Sequence, residues 1–148
     1  MTMLAEMKFT EARNNFTSVI DRVQRLSPVI IKPRKQSEDY TFLLNEKLVH
    51  RLLRDVQFRI VVMPEEDGSV TVGIDELELY VNGETIEEAI DELAEDIIAY
   101  AQDYMNNPDR YFNAPNRRDH FPYLFKVLLH NNKEEVKQFL KNAQVQRS

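Results

Sequence analysis

The sequence predicts an α+β protein built from three successive segments, and three observations support this fold class. Short runs of alternating apolar and polar residues, typical of half-buried strands, occur in both halves of the chain. Apolar residues at helical spacing follow these runs. The charge also changes sign in blocks: residues 1–56 hold ten Lys or Arg against seven Asp or Glu, residues 57–108 one against fourteen, and residues 109–148 eight against four. We therefore expect segments with different surfaces and different partners.

Several classes of protein are excluded by composition. The chain has no cysteine, so disulfides, thiolate metal sites and cysteine nucleophiles are absent. No apolar run approaches the roughly 20 residues of a membrane-spanning helix, and the N-terminus lacks the basic-then-apolar pattern of a signal peptide. We expect a cytoplasmic protein that makes no membrane contact.

The first segment, residues 1–56, begins with a short strand ending at Phe9, followed by a helix in which Glu11 lies near the positive end of the helix dipole. Ser27 and Pro28 end this helix. Six apolar residues at helical spacing predict one buried stripe along it. They are Ala12, Phe16, Val19, Ile20, Val23 and Leu26.

Two strands and a second helix complete the first segment. Val29–Lys32 and Tyr40–Leu44 are rich in branched and aromatic residues, and a basic loop separates them. Asn45 is a suitable N-cap for the helix that follows. The residues expected to be buried on this helix are Leu48, Val49, Leu52 and Leu53.

The second segment, residues 57–108, predicts a three-stranded antiparallel meander covered by one helix. Three runs in which apolar residues alternate along the chain are separated by sequences typical of turns. The first turn contains Gly68, which can adopt a positive φ angle. Thr85 and Glu88 match a capping box at the start of a long amphipathic helix whose outer face is almost entirely acidic. The alternating residues are Phe58, Ile60, Val62, then Val70, Val72, Ile74, then Leu77, Leu79 and Val81.

The third segment, residues 109–148, predicts a helical tail. Asn106, Asn107 and Pro108 break the long helix, and a loop rich in aromatic and basic residues follows. Pro122 is suited to the first turn of one short helix, and Asn132 caps a second, so the two form a hairpin.

The motifs of the first segment match a known family. Lys8 to Phe16, with its Thr-Glu-Ala-Arg core, leads into Val19 to Val23 and then the strand Pro28 to Ile31. This order resembles the N-terminal domain of Phd/YefM antitoxins over Met1 to about Val56. The family usually places a glycine in the basic loop, whereas this chain has Pro33 to Gln36 without one.

The second segment resembles a different antitoxin family. The order of strand, Glu-Asp-Gly turn, two strands, and a Gly-Glu-Thr-Ile-Glu-Glu-Ala helix start is similar to the HicB fold over roughly Phe58 to Met105. The Pro-Asp-Leu-Pro-Gly-Cys linker of that family is replaced here by Ile74 to Glu78, so the likeness is one of architecture. Two antitoxin-like halves imply the antitoxin of a bacterial toxin–antitoxin system, which neutralises a toxin and represses its own operon.

The Phd/YefM resemblance implies a homodimer that binds operator DNA through the first segment. Lys and Arg side chains neutralise phosphates, and Asn can hydrogen-bond to a base edge. The alternative is an ordinary solvated helix face and loop. The candidate DNA-binding residues are Arg13, Asn14, Lys32, Arg34 and Lys35.

The acidic helix and the aromatic loop are the candidate surfaces for the toxin. Ribonuclease toxins of such systems are typically basic, so the acidic segment complements them. A solvated helix face and a packed aromatic core are the alternatives. The candidate toxin-binding residues are Glu88, Glu92, Glu95, Arg110, Tyr111 and Phe112.

Catalysis is the least favoured function. The three histidines lack metal-ligand spacing, and no nucleophile motif is present. A metal-dependent nuclease is conceivable only through Glu65, Glu66, Asp67, Asp75 and Glu76, which fall in turns. We expect no cofactor and no metal. The competing non-enzymatic function is a stand-alone transcriptional regulator whose second segment binds a ligand or another protein.

Overall fold

The computed structural model describes residues 3–147, with side chains up to Ala143. Met1, where the first predicted segment begins, lies outside the described residues, as do Thr2 and Ser148. The chain divides into two compact units, unit 1 (Met1–Arg54) and unit 2 (Asp55–Ser148). Both units combine helices with a β-sheet, so the predicted α+β class is confirmed.

Unit 1 contains a three-stranded sheet in the order β1-β2-β3. Strand β1 runs parallel to β2, with Glu6 paired to Ile30, and β2 runs antiparallel to β3, with Val29 paired to Leu43. The side chain of Asn45 accepts a hydrogen bond from Lys47 N at 2.8 Å, so the predicted N-cap of the last helix is confirmed. The elements are β1 (Glu6–Met7), α1 (Phe9–Asn14), α2 (Phe16–Gln24), β2 (Val29–Ile31), β3 (Thr41–Leu43) and α3 (Glu46–Leu52).

The sequence predicted one continuous first helix, but the structure has two, α1 and α2, separated by a break at Asn15. This residue has φ −125° and ψ 37°, outside the helical region, and its side-chain amide donates to the carbonyl oxygen of Glu11. The break separates the predicted apolar stripe into two parts. Ala12, Val19 and Val23 are buried, whereas Phe16 and Leu26 are exposed, so the prediction of one buried stripe was wrong for these two residues.

The prediction for the last helix of unit 1 was also wrong. None of its residues is fully buried, and Leu52 is 71% exposed. The core of unit 1 is correspondingly small, since its fully buried cluster holds only Ala12, Val19, Val23 and Val29.

Unit 2 is built on a sheet with the order β6-β5-β4-β7. The predicted antiparallel meander is present as β4, β5 and β6, with Ile60 paired to Ile74 and Val72 paired to Val81. A fourth strand, β7, was not predicted and runs parallel to β4. Leu77 lies in a 3-10 turn instead of a strand. The strands are β4 (Arg59–Pro64), β5 (Val70–Ile74), β6 (Leu79–Gly83) and β7 (Gln144–Arg147).

The long helix α4 (Ile86–Asn106) forms the centre of unit 2. It begins with the predicted capping box, in which Glu88 N donates to the hydroxyl of Thr85 at 3.1 Å and Glu88 accepts from the backbone of Glu84. Its buried residues pack against one face of the sheet and against the tail helices. The segment after the helix is itself helical, so the predicted aromatic loop begins as a short helix. The remaining helices are α5 (Pro108–Phe112), α6 (Phe121–Leu128) and α7 (Lys133–Lys141).

One hydrophobic core joins the sheet of unit 2, α4 and the tail helices. Phe58 stacks on Tyr123 with ring centroids 5.5 Å apart and meets Phe139 edge-on at 5.2 Å. Leu124 and Leu140 are buried in the same cluster as the strand residues. Among residues 3–147, no helix has the length and apolar character needed to cross a membrane.

Candidate interaction surfaces

A basic cluster forms around the ring of Phe9 at the start of α1. The guanidinium carbon of Arg13 lies 5.9 Å from the ring centroid, and that of Arg34, from the β2–β3 loop, lies 5.1 Å from it. Two of the five predicted DNA-binding residues are therefore brought together on one aromatic ring. The other three, Asn14, Lys32 and Lys35, are exposed on the same unit.

The β2–β3 loop is closed by an ion pair between Arg34 and Glu38. Arg34 Nε donates to Glu38 Oε1 at 3.0 Å, and the backbone N–H of Arg34 donates to Oε2 at 3.2 Å. These hydrogen bonds lower the pKa of the Glu38 carboxyl below its usual value. The pair holds together a loop that has no glycine between Pro33 and Gln36, and it partly neutralises Arg34.

A second basic face lies between the end of α2 and α3. Two adjoining grooves there, with volumes of about 350 and 430 Å³, share the side chain of Leu26. Leu26 has a φ of 68°, in the left-handed region that favours glycine. The residue is also 47% exposed, although it is apolar. Arg25, Lys47 and Arg51 line these grooves.

Unit 1 exposes several large apolar side chains. They outnumber the five buried hydrophobic residues described in the same unit. The exposed large hydrophobic residues described in unit 1 are Met3, Leu4, Phe9, Phe16, Leu26, Phe42 and Leu52.

The acidic face of α4 consists of two stripes with different surroundings. The first stripe, Glu87, Asp91 and Glu95, pairs with lysines of α7 at distances of 2.8 to 3.1 Å. Hydrogen bonds from Lys137 and Lys133 lower the pKa of Asp91. Glu95, a predicted toxin contact, therefore has a partner within its own unit. The lysines, at every fourth position of α7, are Lys133, Lys137 and Lys141.

The second stripe, Glu88, Glu92 and Asp96, lies on α4 at a spacing of four residues and is exposed. Carboxylates at this spacing repel one another, so the stripe costs some helix stability. Glu88 contributes to the N-terminal cap. Glu92 and Asp96 thus form an exposed acidic edge beside the paired stripe.

The predicted contacts in α5 separate into packed and exposed residues. The ring of Tyr111 stacks on Tyr104 at 5.0 Å, and its hydroxyl donates to Asp103. Phe112 is exposed and lies 5.6 Å from the guanidinium carbon of Arg118. Arg110 is exposed above the ring of Tyr111. Tyr111 is thus anchored in the unit, whereas Arg110 and Phe112 remain at the surface.

The polar centre of unit 2 is a network around His120. The hydroxyl of Tyr100 hydrogen-bonds to His120 Nδ1 at 2.7 Å, and Arg117 lies 5.3 Å from the ring of Tyr100. Burial, reinforced by the nearby charge of Arg117, lowers the pKa of His120. Tyr104 fixes the same segment through a hydrogen bond to the carbonyl oxygen of Arg117 at 2.9 Å. This network joins α4 to the segment before α6.

Four of the five carboxylates considered for a nuclease metal site make local contacts, among them Asp75, which accepts from the Tyr80 hydroxyl. Asp67 accepts from Ser69, Glu65 accepts from Thr71 and Glu76 pairs with Arg59 at 3.1 Å. Within the part of the chain that the structure describes, no group of three or more His, Asp or Glu residues could hold a metal ion.

Two comparisons identify the class of protein to which these surfaces belong. The family model for PHD-like antitoxins, described as antitoxins of toxin–antitoxin systems of the RelE/RelB kind, matches residues 3–142. A crystal structure of the antitoxin part of a candidate toxin/antitoxin system from Syntrophomonas wolfei subsp. wolfei has a TM-score of 0.82 and 38% sequence identity. The alignment covers 98% of this chain and 99% of that chain. No match was found among curated proteins.

The chain belongs to the PHD-like family of toxin–antitoxin antitoxins. Members of this class are binding proteins and not enzymes, in agreement with the expectation from the sequence. A toxin is the partner that the family implies.

Sequence reasoning missed two residues of the basic cluster. Phe9, assigned only to the end of a strand, is the ring on which Arg13 and Arg34 meet. Glu38 closes the loop beneath Arg34. The signal for Glu38 was present, because opposite charges four residues apart in a short polar loop favour an ion pair.

Proposed function

We propose that this antitoxin binds operator DNA through unit 1 as a homodimer and neutralises a basic, ribonuclease-type toxin through unit 2. The observation that carries the proposal is the segregation of charge: residues 1–56 have an excess of three basic residues, and residues 57–108 an excess of thirteen acidic ones. One chain thereby presents a surface for a polyanion and a surface for a polycation.

The Phe9 cluster supports DNA binding because it holds two guanidinium groups against one aromatic ring. Guanidinium groups bind phosphate oxygens bidentately, and lysines in the adjoining loop add charge. Arg34 is held by Glu38, so DNA phosphate must compete with that carboxylate. We therefore expect Glu38 to reduce affinity for DNA.

Gel-shift titration with the DNA upstream of the operon tests this surface. Replacing Arg13, Arg34 and Lys35 together by Ala should abolish the specific shift. A variant with equal charge loss on the other basic face, Arg25, Lys47 and Arg51 to Ala, should retain it. Equal losses in both variants would show that only net charge matters.

The variant Glu38→Gln tests the competition within the loop. Removing the carboxylate charge frees Arg34, so the dissociation constant for operator DNA should fall. The logarithm of the binding constant should also fall more steeply with the logarithm of the salt concentration, because the number of phosphate contacts rises. An unchanged or weaker affinity would contradict a DNA role for Arg34.

The exposed edge of α4 supports toxin binding, together with Arg110 and Phe112. Among the residues that the structure describes, no lysine pairs with Glu92 or Asp96, in contrast to Glu87, Asp91 and Glu95. Exposed carboxylates accelerate association with a basic partner, and an exposed aromatic such as Phe112 can supply contact area.

Growth rescue and pull-down of the toxin encoded in the same operon test this assignment. Glu92→Gln combined with Asp96→Asn should weaken capture of the toxin, whereas Glu66→Gln with Glu84→Gln, an equal charge change elsewhere, should not. An antitoxin that captures no toxin but still shifts operator DNA would instead be a stand-alone regulator.

The exposed apolar residues of unit 1 support a homodimer, because a second copy would cover them symmetrically. Replacing Phe16 and Leu52 by Ser should convert the dimer to monomer in sedimentation, while unit 2 keeps its unfolding transition. A wild-type chain that sediments as a monomer at high concentration would exclude the dimer.

A further inference from the structure

The sheet of unit 2 has two faces, and α4 covers only one of them. The buried strand residues, including Ile60, Val72 and Val81, point towards the helices. Their neighbours in the alternation point to the opposite face. Arg59, Tyr80 and Asn82 are exposed there. We call this surface the Tyr80 face.

The ring of Tyr80 lies across Gly73, its partner on the adjacent strand. A Cβ atom on Gly73 would lie only 2.1 Å from Cδ1 of Tyr80, so this ring position requires glycine. The hydroxyl of Tyr80 donates to Asp75 at 2.5 Å, and this hydrogen bond raises the pKa of Tyr80. The ring is fixed at both ends yet 49% exposed.

Carboxylates surround one end of this fixed ring. Asp75 and Glu78 are exposed, and both charges act on the Tyr80 hydroxyl. Glu76 is already paired with Arg59. Asp75 accepts from the Tyr80 hydroxyl and keeps its charge exposed. An aromatic ring beside exposed carboxylates attracts a cation both through the ring quadrupole and through the opposite charge. A ring already held in place loses little conformational entropy on binding.

We propose that the Tyr80 face binds an arginine- or lysine-bearing segment of the toxin. The cationic side chain lies over the ring of Tyr80, and its N–H groups donate to Asp75 and Glu78. This inference rests on the proposed function, because it names a second contact surface of unit 2 for the same basic partner. DNA is disfavoured as the occupant, because carboxylates at this face repel phosphate.

Calorimetric titration of the full chain with a hexa-arginine peptide tests the face without the toxin. Tyr80→Leu keeps an apolar cover over Gly73 but removes the ring quadrupole, and should weaken peptide binding about fivefold. Tyr80→Phe keeps the ring and should bind within about twofold of wild type. Asp75→Asn should also weaken binding, because Asn can still accept from Tyr80 but lacks the charge.

Glu66→Gln, an equal charge change at an exposed residue of the β4–β5 turn, is the matched control and should leave peptide binding nearly unchanged. Equal weakening by Asp75→Asn and Glu66→Gln would show unspecific attraction and overturn the proposal, as would wild-type affinity in Tyr80→Leu. Pull-down of the operon toxin is a separate arm. Failure of the wild-type chain to capture it would refute the proposed function while the peptide titration still decides the face.

Discussion

Unit 1 and unit 2 use their apolar residues in opposite ways. Unit 2 buries a large contiguous cluster that includes Tyr104, Leu93 and Leu124, and it pairs many of its surface charges. Unit 1 leaves Phe16, Phe42 and Leu52 exposed, and its described residues include five buried hydrophobic ones, Ala12, Val19, Val23, Val29 and Ile30. Because apolar burial is the main source of stability, unit 2 contains its own core, whereas unit 1 gains much less stability from burial within its own chain.

The difference shows in which unit the residues of a binding surface can change with the smallest loss of folding stability. In unit 2, the candidate binding groups lie outside the core, so they can change without loss of the fold. In unit 1, the exposed apolar residues belong to the proposed homodimer surface, so substitutions there should act on association. Substitutions in the two units should therefore separate into effects on stability and effects on assembly.

The largest expected effect comes from the core of unit 2. Leu93 is fully buried, and Leu93→Ala should lower the free energy of unfolding by about 3 kcal/mol through lost burial and a residual cavity. Denaturant titration followed by circular dichroism measures this change. Leu128→Ala, at a residue 36% exposed, is the control and should cost less than about 1 kcal/mol. Similar costs at both positions would contradict a self-sufficient core.

A smaller effect is expected at Leu26 of unit 1, whose backbone is left-handed. Leu26→Ala removes only the side chain, whereas Leu26→Gly also removes the steric cost of the left-handed conformation. Leu26→Gly should therefore be more stable than Leu26→Ala by about 1 kcal/mol, measured by amide hydrogen exchange in α2. Equal exchange in the two variants would show that the φ angle relaxes.

Acid should weaken unit 2 through His120. Burial lowers its pKa, so the folded unit favours the neutral ring beside Tyr100 and Arg117. This contribution is complete above the unfolded pKa of about 6.5 and is lost as the pH falls below it. Unfolding titrations from pH 8 to 5 should show a slope that His120→Gln reduces and His50→Gln, in unit 1, does not.

The smallest effect is expected from the lysines of α7. Lys141 and Glu87 form an exposed pair at 2.8 Å, so their coupling should be weak and screened by salt. A double-mutant cycle with Lys141→Met and Glu87→Gln, read as thermal midpoints, should show coupling at low salt that disappears near about 1 M salt. Coupling that persists at high salt would mean that the pair is more shielded than its exposure indicates.

Unit 2 was the more predictable unit from sequence, because its elements follow local rules. Strict alternation located β4 and β5, and the pairing of Thr85 with Glu88 located the start of α4. The strand β7 was missed because its pairing with β4 depends on residues far away in the chain. The break at Asn15 was missed because a regular apolar stripe continues through it.

The candidate sites were predictable by residue type but not by arrangement. The sequence identifies Arg13 and Arg34 as basic residues of a helix and a loop, yet their shared contact with Phe9 depends on the fold of unit 1. The acidic helix was visible in sequence, but its division into paired and exposed stripes depends on where α7 packs. Tyr80 carried no motif, because its role arises from Gly73 on a neighbouring strand.

The parallel pairing of β7 with β4 has a consequence for synthesis on the ribosome. Arg59 is paired with Gln144, more than half the chain away, whereas the sheet of unit 1 is complete once Leu43 has been made. Unit 1 can therefore begin to fold while unit 2 still awaits its last strand, since segments emerge from the N-terminal end. A nascent antitoxin would accordingly acquire its basic unit first, and its acidic unit would be completed only after the residues of β7 have been made.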